Sequence, residues 1–73
     1  MTNEARAAAI VVDARGMRCP WPALRLARAM REAADVLLLA DDPQAAREVA
    51  ALAGEQGWTL TNDAEGGWRV RRD

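Results

Sequence analysis

The sequence predicts an α+β fold, a two-layer α/β sandwich in which a mixed four-stranded sheet carries two helices on one face. Three observations support this prediction. Strand-like and helix-like apolar patterns follow each other in the order β-α-β-α-β-β, both helical segments lie between strands, and the last two strands flank a turn sequence. Because strand–helix–strand crossovers are right-handed, two of them place both helices on the same face. The length of 73 residues predicts a single domain over residues 1–73, of which residues 1–8 are expected to be flexible.

The first third of the chain contains one predicted strand and one predicted helix. Ile10-Val11-Val12 is short, β-branched and followed by Asp13, which is typical of a strand. Residues 14–18 form the following loop, in which Gly16 supplies backbone freedom. The helix opens at residues 19–22, Cys-Pro-Trp-Pro, since proline is well tolerated in a first helical turn. Apolar residues at helical spacing define its expected buried face: Ala23, Leu26, Ala27, Met30, Ala33 and Ala34.

The rest of the chain is predicted to form a strand, a helix and a hairpin. Residues 36–40 form a continuous apolar run, which suits a central strand. Asp42-Pro43 predicts a helix start with Asp at the cap, and Gly57 is expected to end that helix. Residues 58–62 and 68–71 alternate in polarity on either side of a turn, which predicts a β-hairpin. The expected core residues of this part are Ala45, Val49, Leu52, Ala53, Trp58 and Trp68.

The composition excludes several kinds of site. With one Cys and no His, the chain has neither a Ser-His-Asp nor a Cys-His catalytic unit, and it cannot form an internal disulfide or a Cys-rich metal site. Ten basic residues, all Arg, offset eleven acidic ones to give a net charge of −1, whereas nucleic-acid binders are normally basic. No apolar run approaches the ~20 residues of a membrane span. We therefore expect a cytoplasmic protein that does not span a membrane and does not bind nucleic acid directly.

Cys19 is the residue with the clearest chemical potential. It is predicted at the N-cap of the first helix, where the partial positive charge of the helix end favours a thiolate. Arg15 and Arg18 are close in sequence and could add positive field, and the N–H of Trp21 is the donor expected to face the sulfur. Burial would oppose these effects, so the direction of the pKa shift of Cys19 stays open. A free Cys is also commonly a small buried hydrophobe.

The residues around Cys19 resemble the signature of the TusA-like (SirA-like) sulfur carrier family. Residues 13–22 read Asp-Ala-Arg-Gly-Met-Arg-Cys-Pro-Trp-Pro. They contain the Cys-Pro-x-Pro hallmark of that family after a Gly-Met turn that follows the Asp-ended strand. In this resemblance Cys19 is the reactive residue, and Gly16, Pro20 and Pro22 are the structural residues of the motif.

Other parts of the chain also resemble the sequences of this family. Asp41-Asp42-Pro43 resembles the family's start of the second helix, and the resemblance covers about residues 9–72. The sequence departs from the common pattern at Trp21, where many members have a small, charged or Met residue. Because this departure could alter which partner is bound, the sequence does not identify a particular partner.

The resemblance implies a protein that carries sulfane sulfur as a persulfide on Cys19. Family members accept sulfur from a cysteine desulfurase, a rhodanese or a similar donor, and pass it to an acceptor protein for tRNA thiolation, cofactor synthesis or sulfur oxidation. Such an exchange needs a nucleophilic thiolate and an open approach, and it requires neither His nor a metal, so no cofactor is expected. The resemblance implies the same β-α-β-α-β-β fold. A monomer or a weak dimer is expected, since one side of the sheet has no helix layer.

The outward side of the first helix is the expected docking surface for these partners. Trp and Arg are the residue types most enriched at interface hot spots. The alternative is an ordinary solvated face, on which Arg28 and Glu32 form an i,i+4 pair. The hypothesis is a docking rim around the thiol formed by Arg15, Arg18, Trp21 and Arg25.

Two other functions fit parts of the sequence. An RNA-binding module is suggested by the fold, but fold alone does not establish function, and the net charge of −1 argues against it. A redox-regulatory module would use Cys19 as a sensor, and it would respond to peroxide while ignoring sulfur donors. Neither alternative involves sulfur transfer.

Overall fold

A computed structural model describes residues 9–63 and 66–72 of the chain. The described residues confirm the predicted α+β fold and the order β-α-β-α-β-β. The expected flexibility of residues 1–8 and part of the predicted turn, residues 64 and 65, lie outside the described ranges. Neither described helix has the length and apolar character that crossing a bilayer requires. The elements are β1 (Ile10–Asp13), α1 (Trp21–Glu32), β2 (Asp35–Leu39), α2 (Ala45–Gln56), β3 (Thr59–Asn62) and β4 (Trp68–Arg71).

The strands form one mixed sheet in the order β1-β2-β4-β3. β1 lies parallel to β2, and β4 is antiparallel to both β2 and β3. In β2, the side chains of Val36 and Leu38 are buried beneath the helices, whereas that of Leu37 between them is half-buried. A strand with neighbours on both sides has little contact with water, which explains why residues 36–40 read as a continuous apolar run.

The core lies between the sheet and the two helices. α1 contributes Pro22, Leu26 and Met30. Trp58 and Trp68 are partly buried against the core, as predicted. Ala34 is exposed and was wrongly expected on the buried face, because α1 ends at Glu32 and the chain has become extended before Ala34 is reached. The remaining core residues come from the strands and α2: Val12, Val36, Leu38, Ala45, Val49, Ala53 and Val70.

Both helices begin later than the sequence predicts. The N-cap of α1 is Pro20 and not Cys19, and the N-cap of α2 is Gln44 and not Asp42. In front of α2, the Asp42 carboxylate accepts the N–H of Gln44 at 3.2 Å, so the Asp side chain stabilises a turn that precedes the helix. The predicted end of α2 is confirmed, because Gly57 forms its C-cap with a left-handed φ of 76°.

The parallel pairing of β1 and β2 brings two loops to the same edge of the sheet. Asp13 pairs with Leu39 in the register, so the β1–α1 loop and the β2–α2 loop leave the sheet side by side. The N–H of Gly16 donates to the Asp41 carboxylate at 2.9 Å and ties the two loops together. Gly16 has φ +85°, a conformation that favours glycine, in agreement with the predicted need for backbone freedom there. Cys19 lies where these two loops meet.

Candidate functional site

Cys19 lies between the β1–α1 loop and the first turn of α1. Its side chain is half-buried and carries a free thiol. Pro20 follows through a cis peptide bond and is exposed, whereas Pro22 is fully buried. The second proline of the motif therefore anchors this segment in the core, and the first remains at the surface beside the thiol.

The N–H of Trp21 has a different partner from the one expected. It donates to the carbonyl of Arg18 at 2.8 Å and closes a turn around Cys19. The expectation that this N–H faces the sulfur is therefore wrong, because the i to i+3 bond of the turn already uses it. Trp21 is 58% exposed and follows Cys19 by two residues in the chain.

The thiol opens onto a groove of about 470 Å³. Arg18 lines the groove together with Cys19, and the opposite wall comes from Asp42, Pro43 and Gln44 in front of α2. The sulfur can therefore be approached from solvent through a groove with one basic and one acidic side chain. Within residues 9–63 and 66–72, no three side chains of His, Cys, Asp or Glu are grouped to hold a metal ion.

Acidic groups of the second helical region determine the electrostatics at the thiol. A side-chain hydrogen bond to Glu48 is the largest cause that raises the pKa of Cys19, followed by burial and by the negative charges of Glu48 and Asp42. Each of these effects disfavours the thiolate. The pKa of Cys19, whose direction of shift the sequence left open, is therefore raised. The helix end and the neighbouring Arg residues do not reverse this shift.

Glu48 is the site residue that sequence reasoning missed. It lies in the first turn of α2, next to the buried Val49, and is half-buried. Leu52, one turn further on, is half-buried as well, so this side of α2 is turned toward α1. The available signal was the position of Glu48 beside the buried stripe of α2, which places a carboxylate on the flank of the helix.

Arg15 is occupied by an ion pair at the end of β1. Its guanidinium donates to both carboxylate oxygens of Asp13, from Nε at 2.9 Å and from a terminal nitrogen at 2.8 Å. This hydrogen bonding lowers the pKa of Asp13 to about 2. The charge of Arg15 is thus directed at Asp13, and Arg15 does not line the groove at Cys19.

Arg25 lies on a different part of α1 from the thiol. It lines a separate groove with Arg28 and Glu32 above β1, and its Nη1 atom is 3.9 Å from the Sδ of Met17. Arg28 and Glu32 do not form the ion pair that their spacing allows. Of the four residues predicted as a docking rim, Arg18 lines the groove at the thiol, and Trp21 is exposed two residues after Cys19 in the chain. Arg15 and Arg25 do not line that groove.

A protein-family model described as Sulfurtransferase TusA matches residues 10–71. The chain belongs to the TusA family. The match runs from the first residue of β1 to the last residue of β4 and includes Cys19 and Glu48. Membership in the TusA family makes the chain a sulfur carrier or sulfurtransferase in general terms, acting in a relay with donor and acceptor proteins.

Replacing Glu48 with Gln is expected to lower the pKa of the Cys19 thiol, because the amide carries no charge that opposes the thiolate. At neutral pH the thiolate fraction then rises, by about tenfold for each unit of pKa, and alkylation by iodoacetamide becomes faster. The rate of alkylation measured against pH should show a lower midpoint in Glu48→Gln than in the wild type. Glu55→Gln, two turns further along α2, is the matched control and should keep the wild-type midpoint. An unchanged midpoint in Glu48→Gln would contradict the assignment.

Proposed function

We propose that this chain is a single-domain sulfur carrier that accepts sulfane sulfur on Cys19 as a persulfide and passes it to an acceptor protein. The observation that carries the proposal is the position of the chain's one thiol at an open groove, within a chain of the TusA family. The donor is a cysteine desulfurase or a rhodanese. The sulfur serves tRNA thiolation, cofactor synthesis or sulfur oxidation in the cytoplasm.

Loading is a thiol–persulfide exchange. The Cys19 thiolate attacks the terminal sulfur of a donor persulfide, a new S–S bond forms on Cys19, and the donor cysteine leaves as a thiolate when its own S–S bond breaks. The transferred sulfur is neither oxidised nor reduced overall, so no external oxidant takes part. The thiol must first release its proton, which passes to solvent through the open groove that Cys19 lines.

The other motif residues have supporting roles in this proposal. Gly16, bonded to Asp41, and Pro22, buried in the core, hold the loop that carries the thiol. Pro20 shapes the surface beside it. Arg18 and Trp21 contact the partner, since both are exposed and lie within two residues of Cys19 in the chain.

Intact mass spectrometry tests the proposal directly. After incubation with a cysteine desulfurase and cysteine, or with a rhodanese and thiosulfate, the chain should gain the mass of one sulfur atom, and dithiothreitol should reverse the gain. Peroxide treatment provides the comparison with a redox sensor. Ready oxidation of Cys19 by peroxide, with no sulfur gained from either donor, would show that the chain is a sensor and that the proposal is wrong.

Trp21→Ala is expected to slow loading from a protein donor while leaving loading from inorganic polysulfide unchanged. Truncation of an exposed aromatic anchor at an interface commonly costs more than 1 kcal/mol, which corresponds to roughly a fivefold to tenfold loss of affinity. Val11→Ala is a matched control, because Val11 is 57% exposed against 58% for Trp21 and lies on β1. Equal donor kinetics in Trp21→Ala and the wild type would exclude Trp21 from docking.

A further inference from the structure

A second groove of about 240 Å³ runs between the two helices and begins at Pro20, the residue after Cys19. Leu24 is 51% exposed on one wall, so apolar surface faces solvent there. The opposite wall, on α2, carries Glu48 and Glu55. The apolar residues that line this interhelical groove are Pro20, Ala23, Leu24, Ala27, Ala51 and Leu52.

The two carboxylates of the interhelical groove lack a cationic partner within the part of the chain that the structure describes. Among residues 9–63 and 66–72, neither Glu48 nor Glu55 forms an ion pair. Glu48 raises the pKa of the Cys19 thiol, and a Cys side chain carries no positive charge that could neutralise the carboxylate. Glu48 and Glu55 are about two helical turns, or roughly 10 Å, apart along α2. The groove therefore combines an apolar floor with two spaced negative charges.

We propose that the interhelical groove binds a basic segment of a partner protein, with an apolar side chain on the floor and two cationic side chains paired with Glu48 and Glu55. Charge complementarity selects this occupant, because an acidic segment would meet like charges along the α2 wall. Matching cations would be roughly seven residues apart in a helical segment or three apart in an extended one. The partner is the protein that exchanges sulfur with Cys19, so the inference rests on the proposed function in that respect.

Such docking would also act on the thiol. In the free chain the Glu48 carboxylate stabilises the protonated thiol. A partner cation paired with Glu48 offsets that negative charge, and the thiolate of Cys19 then becomes easier to form. Docking and thiol reactivity are thereby coupled through Glu48, which lines the groove and raises the pKa of the Cys19 thiol.

Two synthetic helical peptides test the inference on the full chain. One carries two Arg side chains two turns apart on either side of a Leu, and the other has Glu in place of both Arg. The Arg peptide is expected to bind in calorimetry and to speed alkylation of Cys19 at neutral pH, and the Glu peptide is expected to do neither. In Glu55→Gln, the affinity for the Arg peptide should fall by about two- to fivefold, the range for one exposed ion pair.

Glu32→Gln is the matched control, because it removes the same charge from an exposed position on α1 that lines a different groove. It should retain the wild-type affinity for the Arg peptide. Equal binding of the two peptides, or an affinity that Glu55→Gln leaves unchanged, would overturn the inference. Loading of Cys19 from inorganic polysulfide separates this failure from that of the proposed function. If Cys19 loads normally but the peptide test fails, only the groove inference is rejected. If Cys19 does not load, the sulfur-carrier proposal is rejected.

Discussion

Cys19→Ser is expected to abolish sulfur uptake. The hydroxyl oxygen that replaces the sulfur cannot form the S–S bond on which the cargo is held, and it ionises far less readily than a thiol. The side chains are similar in size and Cys19 is only half-buried, so the fold should be retained. Intact mass after incubation with a desulfurase and cysteine should show no added sulfur. Thermal unfolding of the same sample should match that of the wild type.

The outcome is unambiguous because the chain has no other Cys. A Cys19→Ser protein that still gained one sulfur, reversibly with dithiothreitol, would contradict the sulfur-carrier proposal. Glu55→Gln serves as the positive control, since it keeps Cys19 and lies two turns of α2 beyond Glu48. It should load from inorganic polysulfide to the same extent as the wild type.

Gly67→Ala is expected to cause a large loss of stability. Gly67 has φ +98°, and a Cβ atom there would press on the carbonyl oxygen of Leu38 and lie 2.9 Å from the Cδ2 of Leu39. Leu38 pairs with Trp68 between β2 and β4, so a shift would disturb the centre of the sheet. The positive φ costs about 1 kcal/mol and the overpacking about 1–3 kcal/mol more. That is a large share of the ~5 kcal/mol expected of a small domain.

Gly66→Ala separates the two causes. Gly66 has a nearly identical φ of +99°, but none of the residues that the structure describes, apart from its chain neighbours, comes within 4 Å of a Cβ atom built there. Its substitution should therefore lower the free energy of unfolding only by the cost of the positive φ, about 1 kcal/mol. Urea unfolding of both variants measures the difference. Equal losses in the two variants would show that the close approach of Gly67 to β2 does not contribute.

The fold could be predicted because local patterns and topology agree. The apolar run at 36–40 matches a strand with neighbours on both sides, and the alternation in 58–62 and 68–71 matches the antiparallel hairpin. The starts of the helices were less accurate. A proline tolerates several positions near a helix start, and the Asp42 carboxylate can stabilise either a helix cap or a preceding turn.

The candidate site was only partly predictable. Cys19 was identified from its neighbours in sequence, whereas Glu48, which raises the pKa of the thiol, belongs to another helix and is brought there by packing. Arguments from the helix end and from nearby Arg favoured a thiolate, whereas a contact across the fold favours the thiol. Arg15 illustrates the same limit, because its guanidinium donates to the nearby Asp13 carboxylate, a pairing that its closeness to Cys19 in sequence did not indicate.

The exposure of Trp21 gives the chain an intrinsic optical reporter. Its indole is 58% exposed beside Cys19, whereas Trp58 and Trp68 are partly buried against the core. An indole in water fluoresces at longer wavelength than one shielded from it, so covering the surface at the thiol shifts the emission to the blue through Trp21. Coverage of this surface by a docked partner can therefore be followed in real time without attaching a dye to Cys19.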